Sequence, residues 1–445
     1  MNILKDVISN ELCSGCGACV YVCGKGAIHI GRTNIGRLYA IVDDKKCISC
    51  GICHKVCPST DDASACLLSR ISNNDKIVGD IQNVFVGHSA NQRIYENAQS
   101  GGAVTQILYS LLKAGKIDAA LVCRTDACHE GNYTHPVVVT QPDDLFPTQR
   151  SYYSPVDLLT SLVAVEQYKR VAIVGCPCQI QGITMLQKYH RSENVQLKIG
   201  LICDRCMSSA CNQTILKFLL GSRAKLDYRA KLTHKRKNLY NGHNAYRYAP
   251  MLVELSGSGV PPTLAQGNAL RLFLKDFFTP IRCLACYDKL NTQADIVCGD
   301  PWEMSNVDWD NGDSVIITRS KMGNETITQL KQTGDLILQN APLSEVIVGQ
   351  KIQERHIQMA SVCDTLDNFG LNHPYWLSAF KGQSKNAALS AHMTTISQRF
   401  FRLEKMNTDT LTDEVARSAK WHFLKQRLNN KLSKIWNSLL RKHSS

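Results

Sequence analysis

Eight cysteines near the start of the chain constrain its fold more than any other feature. They run Cys13-x-x-Cys16-x-x-Cys19-x-x-x-Cys23, and again Cys47-x-x-Cys50-x-x-Cys53-x-x-x-Cys57-Pro58. Each iron of a cubane [4Fe–4S] cluster requires one soft thiolate. Three closely spaced cysteines on one loop reach three irons, and the fourth ligand comes from the other motif, so two clusters lie side by side. This scheme gives Cys13, Cys16, Cys19 and Cys57 to a first cluster and Cys47, Cys50, Cys53 and Cys23 to a second. The small residues between them (Ser14, Gly15, Gly17, Ala18, Ser49, Gly51) let backbone amides approach the sulfurs. Gly24 stands where a second proline would be usual. A zinc module built from CxxC pairs is the alternative, and interlocked runs of this kind fit it poorly.

The chain has 445 residues, 44% of them hydrophobic. That length suggests roughly two to four domains. Twenty cysteines in so long a chain do not read as a secreted disulfide scaffold, which would be short. They point to a reducing cytoplasm that supplies iron–sulfur clusters. The first residues are polar and lack the apolar stretch of a signal peptide. No run of about 18 apolar residues offers a membrane-spanning helix. The net charge of +13 is unevenly placed: eight of the 51 Lys and Arg lie in residues 415–445, which hold no Asp or Glu. The rest carries 43 basic and 38 acidic residues, so the body makes no electrostatic case for nucleic acid.

Residues 1–62 read as a ferredoxin-like α+β module that folds separately, its halves repeating each other. Between them Ile28, Ile30, Leu38, Ala40 and Val42 flank a turn with Gly31 and Gly36, a small hairpin. Residues 61–80 are polar and read as a linker. Beyond Asn83, β-rich runs (84–87, 119–123, 171–174, 197–203, 315–318) alternate with helical stretches (102–114, 158–168, 179–189, 209–220, 269–278). That alternation predicts an α/β domain with crossover helices over residues 80–390. Residues 223–267 are more polar and suggest hairpins. Residues 394–445 read as a peripheral helical tail.

A second set of cysteines falls at strand ends, where α/β proteins build sites. Val174-Gly175-Cys176-Pro177-Cys178-Gln179 joins a strand to a helix, and Gly200-Leu201-Ile202-Cys203-Asp204 ends another strand. Cys283-Leu284-Ala285-Cys286-Tyr287-Asp288 and Ala294-Asp295-Ile296-Val297-Cys298-Gly299-Asp300 follow. Cys178, Cys203, Cys283 and Cys286 form the best set for a third [4Fe–4S] cluster, with Cys176 and Cys206 as spare thiols and alternative ligands. Cys123, Cys298 and Cys363 read as small buried hydrophobes.

Together these motifs resemble the family of beta subunits of coenzyme F420 hydrogenases and dehydrogenases, over roughly residues 12–323. The resemblance rests on the double cysteine run, Ser100-Gly101-Gly102-Ala103, Gly175-Cys176-Pro177-Cys178-Gln179, Gly200-Leu201-Ile202-Cys203, Cys283-x-x-Cys286-x-Asp288, Ala294-Asp295-Ile296 and Gly299-Asp300-Pro301-Trp302. Relatives of that family include flavin-dependent chlorophyll-type reductases. The resemblance implies an FAD beside a [4Fe–4S] cluster, with ferredoxin-like clusters leading electrons to it. It also strengthens the third cluster and puts Ser100, Gly101, Gly102, Gly175, Asp288 and Asp300 at the cofactor site. The segment Asp204-Arg205-Cys206-Met207 lies where branches of the family differ, which leaves the substrate class open.

The flavin expectation has a physical side. Ser100-Gly101-Gly102 precedes a strong helix, glycines permit close backbone approach, and a helix N-terminus offers free N–H groups to phosphate. An ordinary serine N-cap is the plainer reading. Asp288, Asp295 and Asp300 are open between capping helices and contacting ribose. His88, His129 and His135 are candidate proton donors. In the tail, Trp421, Leu424, Leu428, Leu432, Ile435 and Leu439 recur at helical spacing among Lys and Arg. Packing on the body and docking on a membrane surface or partner both suit that pattern.

These features lead to an iron–sulfur flavoprotein oxidoreductase. It would take electrons from a low-potential donor such as ferredoxin and pass them to a small organic substrate or the deazaflavin coenzyme. The alternatives are a non-catalytic electron-transfer subunit of a larger complex and a cluster-bearing sensor. Self-association is a further possibility, and the expected location is cytoplasmic, with the tail at the inner membrane face.

Overall fold

The computed structural model describes residues 7–128, 131–219, 224–227, 251–255, 263–265 and 274–406, with 410–411, 414–415 and 417–418 beyond them. The N-terminal hairpin pairs β1 (Ile28–Arg32) with β2 (Leu38–Val42), Ile28 opposite Val42. Each half of the module adds a short helix, Ala18–Tyr21 and Ile52–Val56.

Residues 61–80 are not a linker. Thr60 caps a helix over Asp61–Ser69, accepting a hydrogen bond from Ala63 N, and Ala63, Ser64, Leu67 and Leu68 are buried. The following loop is braced by the Asp80 carboxylate, which accepts from Ser72 N and Asn73 N at 2.8 Å each. A mostly polar segment thus orders itself through a cap and an Asx-type turn network.

The centre is an eight-stranded mixed sheet. Its first strands are β3 (Asn83–Ser89), β4 (Ala119–Cys128), β5 (Gly131–Val139), β6 (Val171–Gly175) and β7 (Val195–Leu201). Three short strands, β8 (Ala224–Asp227), β9 (Met251–Leu255) and β10 (Thr263–Ala265), then form a separate antiparallel sheet. β11 (Ile296–Gly299), β12 (Ser314–Thr318) and β13 (Leu336–Asn340) return to the main sheet, whose order is β13-β3-β12-β11-β7-β6-β4-β5. β4, β6, β7 and β11 are parallel. β12 is antiparallel to both β11 and β3, so β3 points the same way as the parallel four.

Both faces of this sheet are covered, which is why β6 and β12 are almost wholly apolar. Successive side chains alternate between faces. Ile316 joins Ile107, Leu108, Ile199, Ile296, Ile327 and Leu330 on one side. Val315 and Ile317 join Ile173, Ile180, Ile183 and Leu186 on the other.

That second core continues without a break into the ferredoxin-like module, through Leu12, Ala18, Val56, Leu158 and Leu159. The module is therefore docked on the sheet domain through a shared core. The helical stretch expected over 158–168 is a 3-10 helix over Leu158–Val165. Two long helices, Ile352–Asn368 and Ala387–Glu404, pack behind the second core, in which Trp376 is buried. The last of these begins ahead of residue 394, and its Phe400 and Leu403 are buried. The basic stretch from residue 419 onward lies outside the described residues. Among the described residues no helix is long and apolar enough to cross a membrane.

Candidate functional site

The two cysteine loops share one backbone conformation. Gly15 (φ 66°) and Ser49 (φ 52°) precede the second cysteine of each run, and Gly17 (φ 95°) and Gly51 (φ 74°) follow it. Left-handed residues at these positions curl each loop so that its amides face the sulfurs. The Gly15 and Ala40 amides donate to Cys13, Ala18 N to Cys16 and Ser59 N to Cys57. Ala27 N donates to Cys23 Sγ at 3.3 Å.

The loops differ in depth. Cys13, Cys16, Cys19 and Cys57 are buried together, whereas Cys23, Cys47 and Cys53 are half-buried and Cys50 is exposed. Cys57 stands with Cys13 and Cys16, the opposite motif's cysteines, and Cys19 with all three. Burial pushes all four buried thiols up, and the neighbouring sulfurs push Cys19 and Cys57 further.

The second set gathers at one end of the sheet. β6 ends at Gly175, and the Pro177–Lys188 helix starts at once, with Gln179 Oε1 accepting from Cys176 N at 2.8 Å. β7 ends at Leu201, and Cys203 N then donates to Lys289 O at 3.0 Å. The short Ile281–Leu284 helix carries Cys283 and turns into Cys286. The Cys178 thiol faces Cys203 and Cys283, and Cys203 faces Cys286. Cys176 hydrogen-bonds Cys203, and Cys206 lies against Cys283. The patch thus holds both spare thiols besides the expected four. Burial, then Cys203, pushes the Cys283 thiol up to about 12.

The two sets meet across the Pro177–Lys188 helix. A Cβ at Gly182 would lie 3.7 Å from Cys16 Sγ. Leu159 N donates to Cys16 O at 2.9 Å from the other side. Cys178, on the first turn of that helix, also faces Cys16. One residue missed in the sequence sits here. Arg282 is 3% exposed, donates from Nε to Ser59 Oγ at 3.1 Å and lies over the Trp376 ring at 4.5 Å.

Cationic groups ring the outer edge. Asp204 binds Arg355 at 2.8 Å, Arg205 at 3.1 Å and Lys289 at 3.8 Å. Burial opposes its ionisation, but Arg205, Arg355 and Lys289 overcome that and hold the carboxyl well below its usual range. Lys289 is pulled down to about 8 by burial, against the attraction of Asp204.

Several expected cofactor residues are internal braces. Asp288 is 0% exposed. Its oxygens accept from Gln181 Nε2 and Thr292 N at 2.8 Å each, and burial raises its pKa. Asp295 accepts from Lys198 N at 2.8 Å and ties β7 to β11. Gly101 donates to Ser314 Oγ at 3.0 Å, and a Cβ there would meet Gly87 O and lie 2.7 Å from Ser314 N. Gly102 is the left-handed N-cap (φ 75°) of the Ala103–Lys113 helix. Gly101 lets the loop approach the protein's own sheet, while a Cβ at Gly102 would meet Ile94 and Ala98.

What remains open is the helix start itself, which has no side-chain cap and no acidic residue in its first turn. Ser100 lies beside it, 3.4 Å from Ser314 Oγ. Gly175 O accepts from Asn291 Nδ2 at 3.0 Å, and half-exposed Asp300 follows β11. His88 pairs with Asp313 at 2.7 Å and stacks on Tyr95 at 4.4 Å. His135 contacts Asp126 at 3.6 Å, and His129 is outside the described residues.

Among the described residues, no three His, Cys, Asp or Glu side chains converge as they would on a single metal ion. A cubane has a different requirement, one thiolate for each of four spaced irons. Buried soft thiols with amide donors, none of them in a disulfide, are the donor chemistry that group needs.

Comparison with known proteins agrees with this architecture. Residues 12–60 match a 4Fe-4S dicluster domain. Residues 84–163 and 168–343 match the N-terminal and C-terminal parts of the coenzyme F420 hydrogenase/dehydrogenase beta subunit. One component polypeptide of the F(420)H(2) dehydrogenase of Methanosarcina mazei is 28% identical over 45% of this chain and 55% of its own length. The chloroplastic 7-hydroxymethyl chlorophyll a reductase of Oryza sativa subsp. japonica is 24% identical over 57% of this chain and 54% of its own. The chain thus spans little more than half of either relative. A chain of the F420-reducing [NiFe] hydrogenase complex from Methanosarcina barkeri aligns with TM-score 0.48 and 19% identity, covering 66% of this chain and 96% of that one. Matched by both parts of the family and by the dicluster domain ahead of them, the chain belongs to the family of coenzyme F420 hydrogenase/dehydrogenase beta subunits.

Proposed function

We propose that this chain is an FAD- and [4Fe–4S]-dependent oxidoreductase. Family membership carries the general statement, an iron–sulfur protein of electron transfer. The finer reading rests on one observation, the order of groups along a single end of the sheet. After β3 comes the Ser100–Gly102 loop, after β11 Asp300, after β7 Cys203, and after β6 Cys176 and Cys178. A crevice outside the carboxyl ends of such strands is where α/β sheets bind ligands. Clusters exchange single electrons, and a flavin collects two for delivery as a hydride equivalent.

On this reading residues 1–62 receive electrons, and residues 80–390 hold the flavin and the third cluster. Cys13, Cys16, Cys19 and Cys57 hold one cluster, Cys47, Cys50, Cys53 and Cys23 another, and Cys178, Cys203, Cys283 and Cys286 the third. The uncapped start of the Ala103–Lys113 helix receives the FAD pyrophosphate. Asp300 lies within the same crevice.

Exposed Cys50 marks the outer cluster as the docking point for a donor. Ile48 (62% exposed) and Ile52 (40% exposed) flank it, with exposed Lys25, Lys45, Lys46 and Lys55 nearby in the chain. An acidic one-electron carrier such as ferredoxin suits that surface. The acceptor is a small organic molecule or the deazaflavin coenzyme that relatives' names carry. The test is anaerobic purification followed by reduction with ferredoxin. Released FAD and loss of its visible band on reduction are expected. A protein that binds no flavin after reconstitution overturns the reading. A second reading, a relay subunit of a larger complex, is favoured by the dehydrogenase relative, itself one part of a complex, and by the partial span of the match. It predicts a loaded chain that reduces no small acceptor alone.

A further inference from the structure

Among the described residues, Arg282 is the cation wedged between the two inner thiol sets. Its backbone belongs to the second set, immediately before Cys283. Its Nε reaches the first, donating at 3.1 Å to Ser59, two residues past Cys57. Ser59 is 2% exposed and Arg282 3% exposed, so both are shielded from bulk solvent. The ring of Trp376, fixed by a 2.7 Å bond from Nε1 to Ala285 O, backs the guanidinium at 4.5 Å. Cys178, Cys283 and Cys286 face it from one side and Cys13, Cys16 and Cys57 from the other. Arg37, the other buried arginine near Cys13, is neutralised by Glu11 at 3.0 Å and Glu404 at 2.7 Å. Among the described residues Arg282 has no carboxylate partner.

A buried guanidinium without a carboxylate needs negative charge nearby, because its own desolvation is unfavourable. The groups at hand that can carry it are the cysteine sulfurs, which ionise as they ligate iron. We infer that Arg282 is a shared counter-charge for two clusters, held between the Cys13/Cys16/Cys19/Cys57 set and the Cys178/Cys203/Cys283/Cys286 set, which raises the reduction potential of both. The step it serves moves one electron: the first cluster is oxidised by one, the third is reduced by one, and no bond or proton changes. A fixed positive charge favours the more negative, reduced form of each, so it raises both potentials. Its Ser59 bond sets how the charge is divided. This inference rests on the electron-transfer reading above and makes Arg282 a positioning residue, not a catalytic one.

The test is EPR-monitored redox titration of anaerobically reconstituted full-length protein. Arg282→Gln is expected to make reduction of both inner clusters at least tenfold less favourable, about 59 mV more negative for a one-electron couple. Arg282→Lys, which keeps the charge, should recover most of that shift. Ser59→Ala, a smaller change that guards against misfolding of the arginine variants, should lower the first cluster's potential relative to the third's. Unchanged potentials in Arg282→Gln, a shift in one cluster only, or no relative change in Ser59→Ala overturns the inference. Absence of three clusters in wild type would instead overturn the functional reading on which it stands.

Discussion

A buried thiol such as Cys283 gives up its proton reluctantly, and burial with Cys203 holds it at about 12. Iron supplies the positive charge that makes four such thiolates tolerable in one patch. Cys283→Ser is therefore expected to cost about four of about twelve irons, with matching sulfide, while the paired N-terminal clusters stay. Iron and labile sulfide analysis after anaerobic reconstitution checks this, and a wild type with about eight irons would sink the third cluster. Gly101 makes the opposite point, that a small residue beside a helix start can serve packing. Its missing Cβ leaves room for Gly87 O and Ser314 N, which are backbone atoms that cannot swing aside. Gly101→Ala should destabilise the fold by about 1–3 kcal/mol through overpacking. Thermal unfolding would read that loss, and flavin per folded molecule should be unchanged; weaker FAD binding in a normally stable variant would restore the phosphate role.

Elements with local causes were legible in the sequence, and those with distant causes were not. The cysteine loops announce themselves because ligand spacing is a local property of the chain. The hairpin β1–β2 and the buried strands β3, β4, β6, β7 and β12 carry continuous apolar or alternating patterns. β5 and β13 lie at the two edges of the sheet, where residues such as Thr134, His135, Gln339 and Asn340 blur that pattern. Asp288 looked like a ligand because its partner Gln181 lies 107 residues away. The Asp61–Ser69 segment looked like a linker because only Ala63, Ser64, Leu67 and Leu68 face inward. The loop after it is tied to the Ile352–Asn368 helix, where His356 Nε2 meets Asp75 Oδ2 at 2.9 Å. That bond raises His356 above its ordinary 6.5, against burial. Burial opposes the ionised Asp75, but the His356 bond and backbone amides win and lower it from 3.8. The histidine's contribution is full below 6.5 and is lost as pH rises through its raised value. The carboxylate's is present above 3.8 and is lost as pH falls through its lowered value. Between those limits the tether holds. Melting temperatures of wild type and His356→Asn, compared from about pH 5 to 9, should differ most at the acidic end and converge at the alkaline end. A gap constant with pH would assign His356 to packing against Phe380, 5.8 Å away, and not to charge.

For the whole molecule, one core joins module, sheet and C-terminal helices, so truncation must be placed with care. Leu411 is 2% exposed and Val415 fully buried, among Ile35, Phe277, Phe400 and Leu403. Ile35 belongs to the ferredoxin-like module, so the chain's last described residues help hold its hairpin. Deleting residues 415–445 removes Val415 with the tail and confounds stability with docking. Deleting 419–445 spares that core and removes seven of the 51 basic residues. If the basic stripe docks on anionic membranes, the shorter deletion should abolish sedimentation with anionic liposomes and leave melting temperature and iron content as in wild type. Raised salt should release the intact protein as well, because screening shortens the reach of surface charge to about 3 Å at 1 M. A 419–445 deletion that still sediments refutes the membrane role. One that melts early instead means that the leucines from Leu424 to Leu439 cover the protein's own surface, the reading that their helical spacing equally allows.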